Sequence, residues 1–312
     1  MLKFYKTAPG EEKPKEIKEI QPDCWIDINN PTQNDLEKVI EKTKVSRNLI
    51  MKMLDDDELP RIESEDGNTL VVIDVPVRTD GSRKHTTYPI GVIITKNRYL
   101  ITVSPKQTDI LGDFKRGNVK DFSTGKKTRF LIQIITIASA RYLSALKEIY
   151  NEISKKEQIL KKSTKNEDLI DLLATEKTLV YFMTSLKEND IVFQRLSKGL
   201  VVPLYEADLD LLEDAMIENN QAIEMATIYR DVLSSITETY GTIISNNLNN
   251  VMKFLASATI VLSIPTLISS FLGMNVPFGE LGINPFSAIS ILLFSVLVSL
   301  LVAFWLKKKG LL

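Results

Sequence analysis

Residues 249–275 read NNVMKFLASATIVLSIPTLISSFLGMN, and this stretch decides the fold. From Val251 to Leu272 it contains one charged residue, Lys253. Because about 20 apolar residues in an α-helix cross the hydrocarbon core of a bilayer, residues 251–272 are predicted to form a first transmembrane helix. Residues 285–306 contain no charged residue and predict a second. The chain is therefore expected to be a multi-pass membrane protein.

Positive charge lies at the start of the first predicted span and after the end of the second. Lys253 stands near the start of the first span. A basic tail, residues 307–312, follows the second span and opens with Lys307, Lys308 and Lys309. Since Lys and Arg close to span ends stay in the cytoplasm, both termini are predicted to be cytoplasmic, with residues 273–284 as the external loop. The expected location is the inner or plasma membrane.

The sequence before these spans is charge-rich and has the composition of a globular domain. The whole chain carries 39 Lys and Arg against 40 Asp and Glu, which argues against a nucleic-acid partner. Its single cysteine, Cys24, cannot form an intrachain disulfide and fits a reducing compartment. The first residues lack the apolar core of a signal peptide, so roughly the first 250 residues are expected to remain on the side of synthesis.

Periodicity divides this part of the chain into an α/β domain and a set of helices. Strand patterns occur at residues 23–29, 69–77, 88–95 and 98–103. The last three are joined by gaps too short for a parallel crossover, so the sheet is expected to be mixed or antiparallel. The predicted segments are an α/β domain (1–127), a helical hairpin (128–202) and a stalk helix (203–250).

The stalk helix is predicted to continue into the first span without a break. No proline occurs between Pro203 and Pro265, so one helix can run from Leu204 to about Phe271, roughly 100 Å at 1.5 Å per residue. Its apolar residues keep an approximate three-and-four spacing, which predicts association of parallel helices around a shared axis. These residues are Leu209, Leu212, Met216, Ile223, Ile236, Tyr240 and Ile243.

Gly273-Met274-Asn275, placed between the two spans, resembles the signature of the CorA family of magnesium transporters. Further matches are Trp25-Ile26-Asp27, Pro31-Thr32 and Pro60-Arg61-Ile62-Glu63. The resemblance implies a funnel-shaped homopentameric channel for divalent cations, above all Mg²⁺, with a cytoplasmic α/β domain, a long stalk helix and two C-terminal transmembrane helices. It also implies gating by cytoplasmic Mg²⁺, so that Mg²⁺ is both the transported and the regulatory ion.

The resemblance makes Gly273, Met274 and Asn275 the selectivity filter. Mg²⁺ gives up its water reluctantly, so a ring of five neutral Asn275 amides suits recognition of the hydrated ion by hydrogen bonds. Gly273 would let the backbone turn at the helix end. A plain helix C-cap is the alternative interpretation of this tripeptide. Glu280, in the external loop, could attract cations to the mouth.

The family's pore positions fall on one face of the first span, at a spacing of three or four. They are Asn249, Met252, Leu255, Thr259, Ser263, Thr266 and Ser270. The outer part of this face is rich in hydroxyls, whereas Met252 and Leu255 predict an inner apolar constriction that gates by dewetting. Serine and threonine also occur in membrane helices for close packing, which is the competing explanation.

The resemblance assigns Asp214 on the stalk helix to a regulatory metal site between subunits. Asp208, Asp210, Glu213 and Glu218 lie near it in sequence. The family's second acidic pair falls on Met51 and Lys52, but acids occur close by at Asp55, Asp56 and Asp57. These three are candidate partners of Asp214. A solvated acidic surface is the alternative.

Other chemistry receives little support. Gly125-Lys126-Lys127-Thr128 resembles the end of a phosphate-binding loop, but Lys120 stands where that motif needs glycine. His85 has no cysteine partners for a zinc site. No enzyme activity and no organic cofactor are expected.

Two alternatives remain open. The same fold could carry Zn²⁺, Co²⁺ or Ni²⁺ instead of Mg²⁺. The spans could also merely anchor a signalling or scaffold protein, although such spans need no polar stripe. The expected partners are divalent cations, the lipid bilayer and identical subunits.

Overall fold

The structure is a computed structural model that describes residues 1–78, 85–160, 166–274 and 285–311. The chain divides into two compact units, here called unit 1 (Met1–Ile236) and unit 2 (Thr237–Leu312).

Within the described residues, seven strands and seven helices follow one another. The strands are β1 (Leu2–Lys6), β2 (Lys15–Ile17), β3 (Trp25–Asn29), β4 (Arg61–Glu65), β5 (Asn68–Arg78), β6 (His85–Ile94) and β7 (Leu100–Ser104). The helices are α1 (Gln33–Thr43), α2 (Arg47–Lys52), α3 (Asp109–Arg116), α4 (Lys127–Leu160), α5 (Asn166–Ser197), α6 (Glu206–Leu272) and α7 (Pro285–Lys308). The long helix predicted from Leu204 to Phe271 is confirmed as α6.

The described strands of unit 1 form a single mixed sheet in the order β2-β1-β3-β7-β6-β5-β4. Strands β3 and β7 are parallel, and every other neighbouring pair is antiparallel. The expectation of a mixed α/β sheet is confirmed, with β3, β5, β6 and β7 at the predicted patterns. Strands β1, β2 and β4 were not predicted.

Both faces of the sheet are buried. Val71, Ile73 and Val75 of β5 belong to a core shared with α3, α4 and α5, whereas Leu70 and Val72 belong to a second core under α1 and α2. Because neither face meets water, the strand is an almost continuous apolar run. This burial fixes the sheet between two helical layers.

Three described helices, α4, α6 and α7, are long and apolar enough to cross a membrane. They differ in what their apolar side chains contact. In the most apolar window of α4, 61% of the residues are buried, against 6% in α6 and 17% in α7. The apolar surface of α4 is therefore used by the core of unit 1, while those of α6 and α7 remain available to lipid or to other copies of the chain.

In unit 2, α6 and α7 pack through small side chains. Ser257 of α6 and Ser295 and Ser299 of α7 are all buried. The Ser257 hydroxyl donates to the Leu311 carbonyl oxygen at 2.8 Å, and the two α7 serines donate to carbonyls of their own helix. Small residues let membrane helices approach closely, so these serines are packing residues.

Candidate functional site

Within unit 2, helix α6 presents two opposite faces. One face is buried or half-buried and consists of Ser257, Ala258, Val261, Ile264, Pro265, Ile268 and Leu272. It lies toward α7, because Ile268 and Leu272 border the same hollow as Ile291 and Phe294. No described residue of the single chain covers the other face.

All seven predicted pore residues lie on the uncovered side of α6 and are exposed. At about 100° of rotation per residue, Leu255, Thr259, Ser263 and Thr266 point roughly opposite to the face that packs against α7. The helix that holds α6 in the hairpin therefore leaves this polar stripe free. A packing role against α7 does not explain its hydroxyls.

The hydroxyls of this stripe donate to their own helix. Thr259 donates to the Leu255 carbonyl at 2.8 Å, and Ser263 donates to the Thr259 carbonyl at 2.7 Å. Thr266 donates in the same way to Leu262 at 3.4 Å. Since each hydroxyl has one proton and two lone pairs, this arrangement turns the lone pairs outward as acceptors. The water molecules around a cation point their hydrogens outward, so they can donate hydrogen bonds to such acceptor oxygens.

The hydroxyl stripe borders a shallow hollow on the surface of α6. Its remaining lining is apolar: Leu262, Leu267, Phe271 and Met274. Toward the N-terminal end of the span the stripe becomes apolar, with Met252 60% and Leu255 54% exposed. The exposed Asn249 precedes them.

Helix α6 ends at Leu272, immediately before the predicted filter. The Gly273 N–H donates to the Ser269 carbonyl at 3.0 Å. A Cβ at Gly273 would lie 3.2 Å from that oxygen, so close approach explains the glycine. The backbone at Gly273 is not left-handed, because Gly273 does not have positive φ. Of the predicted filter, Gly273 and Met274 are described, while Asn275 and Glu280 lie outside the described residues.

Asp214 is exposed on α6 in unit 1. One turn later, Glu218 is half-buried, and burial together with repulsion from Asp214 raises the pKa of its carboxyl. Asp208, which lies near Asp214 in sequence, is paired with a cation of its own chain. It is buried and forms an ion pair with Arg129 at 3.0 Å.

The three acids after α2 are exposed, and the carboxylates of two of them have contacts within the chain. Asp55 accepts a hydrogen bond from the Asp57 N–H at 3.1 Å, and Asp56 pairs with Lys106 at 2.9 Å. Among the described residues of the single chain, no group of three or more His, Cys, Asp or Glu side chains is arranged to hold a metal ion. The predicted site lies between subunits and stays a prediction.

Lys52, which falls where the resemblance noted from the sequence would place an acid, binds an acid of its own chain. Its ammonium lies 2.9 Å from a carboxylate oxygen of Glu63. The hydrogen bond from Lys52, followed by that from Arg61, lowers the pKa of Glu63. Lys52 therefore belongs to an ion-pair network within its own chain, while Met51 is 43% exposed.

The basic tail forms the last turn of α7 and its cap. Gly310 has φ of +70°, and the N–H of Leu311 donates back to Leu306 at 3.1 Å. The exposed lysines on this turn are Lys307, Lys308 and Lys309. The ammonium of Lys309 lies 4.8 Å from the ring centre of Trp305. Trp and Lys at a helix end are typical of a membrane interface.

An α/β unit and a two-helix apolar hairpin that share one long helix, with an uncovered hydroxyl stripe on that helix, define a class of two-span membrane transport proteins. The chain belongs to one family of that class. The pattern of the family described as "CorA-like Mg²⁺ transporter protein" matches residues 23–308. The resemblance noted from Gly-Met-Asn is thereby confirmed.

Relatives of known name agree with this assignment. The "Cobalt/magnesium transport protein CorA" of Methanocaldococcus jannaschii is 26% identical over 295 residues, which cover 92% of this chain and 90% of that protein. The "Magnesium transport protein CorA" of Helicobacter pylori is 22% identical, with 92% and 90% covered. The complete structure of the CorA magnesium transporter from M. jannaschii superimposes with a TM-score of 0.85 at 23% identity, covering 100% of this chain and 99% of that one.

Proposed function

We propose that this chain transports Mg²⁺ across the cell membrane as a homopentameric channel in which α6 of each copy lines a central pore. One observation carries the proposal: in a member of the CorA-like family, α7 covers one side of α6 and leaves the hydroxyl stripe on the other. Five such stripes around an axis would form a polar tube whose acceptor oxygens face the water shell of the ion.

Selection would occur at the outer end of this tube. Gly273 and Met274 continue from α6, and five Asn275 amides would follow them in a ring. Neutral amide oxygens accept hydrogen bonds from the first water shell without removing it, which suits an ion that dehydrates slowly. Glu280 would raise the local cation concentration at the mouth.

Closure would occur at the inner end. Rings of Met252 and Leu255 would narrow the tube with apolar side chains, and a narrow apolar segment expels water and stops ions. Asn249 would offer amides to ions entering or leaving on that side.

Cytoplasmic Mg²⁺ would act as the regulatory ion. The exposed Asp214 of one copy, with Asp55, Asp56 and Asp57 of a neighbouring copy as candidate partners, would bind Mg²⁺ between subunits. Bound Mg²⁺ would favour the closed state, because carboxylates brought together without it repel.

The proposed orientation places both termini in the cytoplasm. Lys307, Lys308 and Lys309 would stay there, and Trp305 would lie at the interface. Labelling Lys309→Cys in intact cells with an impermeant thiol reagent tests this, since Cys24 is fully buried. Labelling without permeabilisation would reverse the assignment.

Ion flux into proteoliposomes tests the function. Wild-type protein should take up Mg²⁺, and Asn275→Ala should abolish most of that uptake while the oligomer stays assembled. The matched control is Asn34→Ala, the same change at an exposed position of α1, which should transport normally. Equal Mg²⁺ flux through Asn275→Ala would refute the filter. A panel with Co²⁺, Ni²⁺ and Zn²⁺ decides the metal, and no uptake of any would leave only an anchoring role.

A further inference from the structure

Unit 1 contains a cavity of about 600 Å³ at the beginning of α4, far in sequence from the membrane segments. Cations dominate its lining: Arg98, Lys126, Lys127 and Arg129. A volume of this size lies within the range of about 300 to 1,000 Å³ that is typical of small-molecule sites.

The two acids of the lining pair with the two arginines only. Asp23 accepts a hydrogen bond from the Arg98 Nε at 3.0 Å, and Asp208 pairs with Arg129 at 3.0 Å. The ammonium groups of Lys126 and Lys127 form no hydrogen bond or ion pair with any described residue. Two positive charges therefore remain without a counter-charge in the lining.

Lys127 is half-buried, and burial is the main cause that lowers the pKa of its ammonium. Asp23 opposes this shift, while repulsion from Arg98 adds to it. An unpaired ammonium that has lost part of its water is costly to keep. An anion in the cavity would remove that cost.

The same lysine begins α4, a helix of 34 residues. Its first intrahelical hydrogen bond runs from the Phe130 N–H to the Lys126 carbonyl at 3.0 Å. In the part of the chain that the structure describes, the N–H groups of Lys127, Thr128 and Arg129 have no acceptor. Ser, Thr, Asp or Asn usually caps such a helix start, and acidic residues usually follow. Here cations stand at the positive end of the dipole, an arrangement that an anion would stabilise.

Thr128 gives an independent indication of a ligand. The residue is only 8% exposed and lines the cavity, yet its hydroxyl makes no hydrogen bond with a described residue. The buried Nε of Arg129 likewise lacks an acceptor. Buried polar groups normally have partners, so the unsatisfied Arg129 Nε, beside a Thr128 hydroxyl that has no partner among the described residues at the cavity, indicates that a bound acceptor is to be expected there.

We propose that this cavity binds the phosphate group of a small anion, either free phosphate or a nucleotide. The backbone N–H groups at the start of α4, the Thr128 hydroxyl and the Lys127 ammonium would donate to its oxygens, a combination suited to a dianion. A free phosphate would leave most of the cavity empty. The exposed ring of Tyr205 at its edge could contact a base.

Isothermal titration calorimetry of the full-length chain in detergent, in metal-free buffer, tests the proposal with three probes: inorganic phosphate, ATP and adenosine. We expect phosphate and ATP to bind with dissociation constants of about 1 mM or below, and adenosine not to bind. ATP at least about tenfold tighter than phosphate identifies a nucleotide site, and equal affinities identify a site for free phosphate.

Two variants locate the site. Lys127→Gln should weaken binding about tenfold or more, because a charge-assisted hydrogen bond is lost. Thr128→Val keeps the shape, removes only the hydroxyl and should weaken binding severalfold, which provides a second test if Lys127→Gln folds poorly. The matched control is Lys155→Gln, at an exposed position near the other end of α4, which should change affinity less than about twofold. The proposal fails if no phosphate probe binds, or if Lys127→Gln and Lys155→Gln weaken binding equally.

Discussion

At the scale of single residues, Asp74 of β5 shows how a polar group is kept inside unit 1. Its backbone N–H donates to the Asn189 side-chain oxygen at 2.9 Å, and the Asn189 amide donates back to the Asp74 carbonyl at 2.8 Å. Its carboxylate accepts a hydrogen bond from the Ser185 hydroxyl at 2.5 Å. Asp74 thus joins the sheet to α5.

Burial raises the pKa of the Asp74 carboxyl to about 6, although the Ser185 hydroxyl opposes the shift. Between about pH 4 and pH 6 the unfolded chain releases this proton while the folded chain keeps it. The group therefore lowers the free energy of unfolding as pH rises, by roughly 2 to 3 kcal/mol once pH exceeds 6. Below pH 4 both states are protonated and the cost disappears.

Asp74→Asn should remove this pH dependence. The melting temperature of the wild type, followed by calorimetry, should fall relative to that of Asp74→Asn as pH rises from 4 to 7. Asp66→Asn makes the same change in an exposed turn and serves as the control. Parallel curves for wild type and Asp74→Asn would contradict the argument.

At the scale of elements, long apolar patterns were predicted best. Residues 69–77 are buried on both faces, and their apolar pattern predicts a strand clearly. Strand β4, with the sequence RIESE, is an edge strand whose residues are half-buried or exposed, so it lacks such a pattern. Strand β2 has three residues, too few for a pattern. The pairing of β3 with β7 joins residues 75 apart in sequence, such as Trp25 and Leu100, and local periodicity carries no information on such contacts.

In the candidate site, too, local features were predicted from the sequence and long-range contacts were not. The resemblance supplied the positions from Met252 to Ser270, and their spacing of three or four places them on one face of α6 because a helix is a local structure. Spacing alone could not show which element packs against the opposite face of α6. The cavity at Lys127 was not predicted, because Lys120 stands where the phosphate-loop motif needs glycine. A helix start with lysines and no capping residue is the sequence signal that could have indicated it.

The uncovered position of Leu255 gives a prediction for the gate. Leu255→Asn should wet the apolar segment and raise Mg²⁺ leak through proteoliposomes severalfold. Leu297→Asn makes the same substitution on α7, at a position 56% exposed and away from the α6 contact, and should leave the pore closed. Similar leak in both variants would indicate general disruption of the membrane helices instead of a gate at Leu255.

At the scale of the whole molecule, the assembly decides whether Asp214 senses Mg²⁺. Among the described residues of the single chain, no group of three or more His, Cys, Asp or Glu side chains forms a metal site at Asp214, so a complete site would need a second subunit. Mg²⁺ should protect the wild-type oligomer from limited proteolysis, and Asp214→Lys should lose that protection together with Mg²⁺-dependent closure.

The control for this prediction is Asp210→Lys, which reverses the same charge one turn earlier at an exposed position of α6. It should keep Mg²⁺ protection. If Asp214→Lys retains the wild-type dependence on Mg²⁺, the sensor lies elsewhere.

The placement of the two tryptophans has a practical consequence. Trp25 is fully buried in unit 1 against the rings of Tyr5 and Phe130, while Trp305 in unit 2 is 54% exposed. Because the emission of indole moves to shorter wavelength away from water, the two rings should fluoresce at different ends of the band. Each compact unit therefore contains one tryptophan. In Trp305→Phe, the remaining tryptophan fluorescence would report only on the folding of the sheet in unit 1.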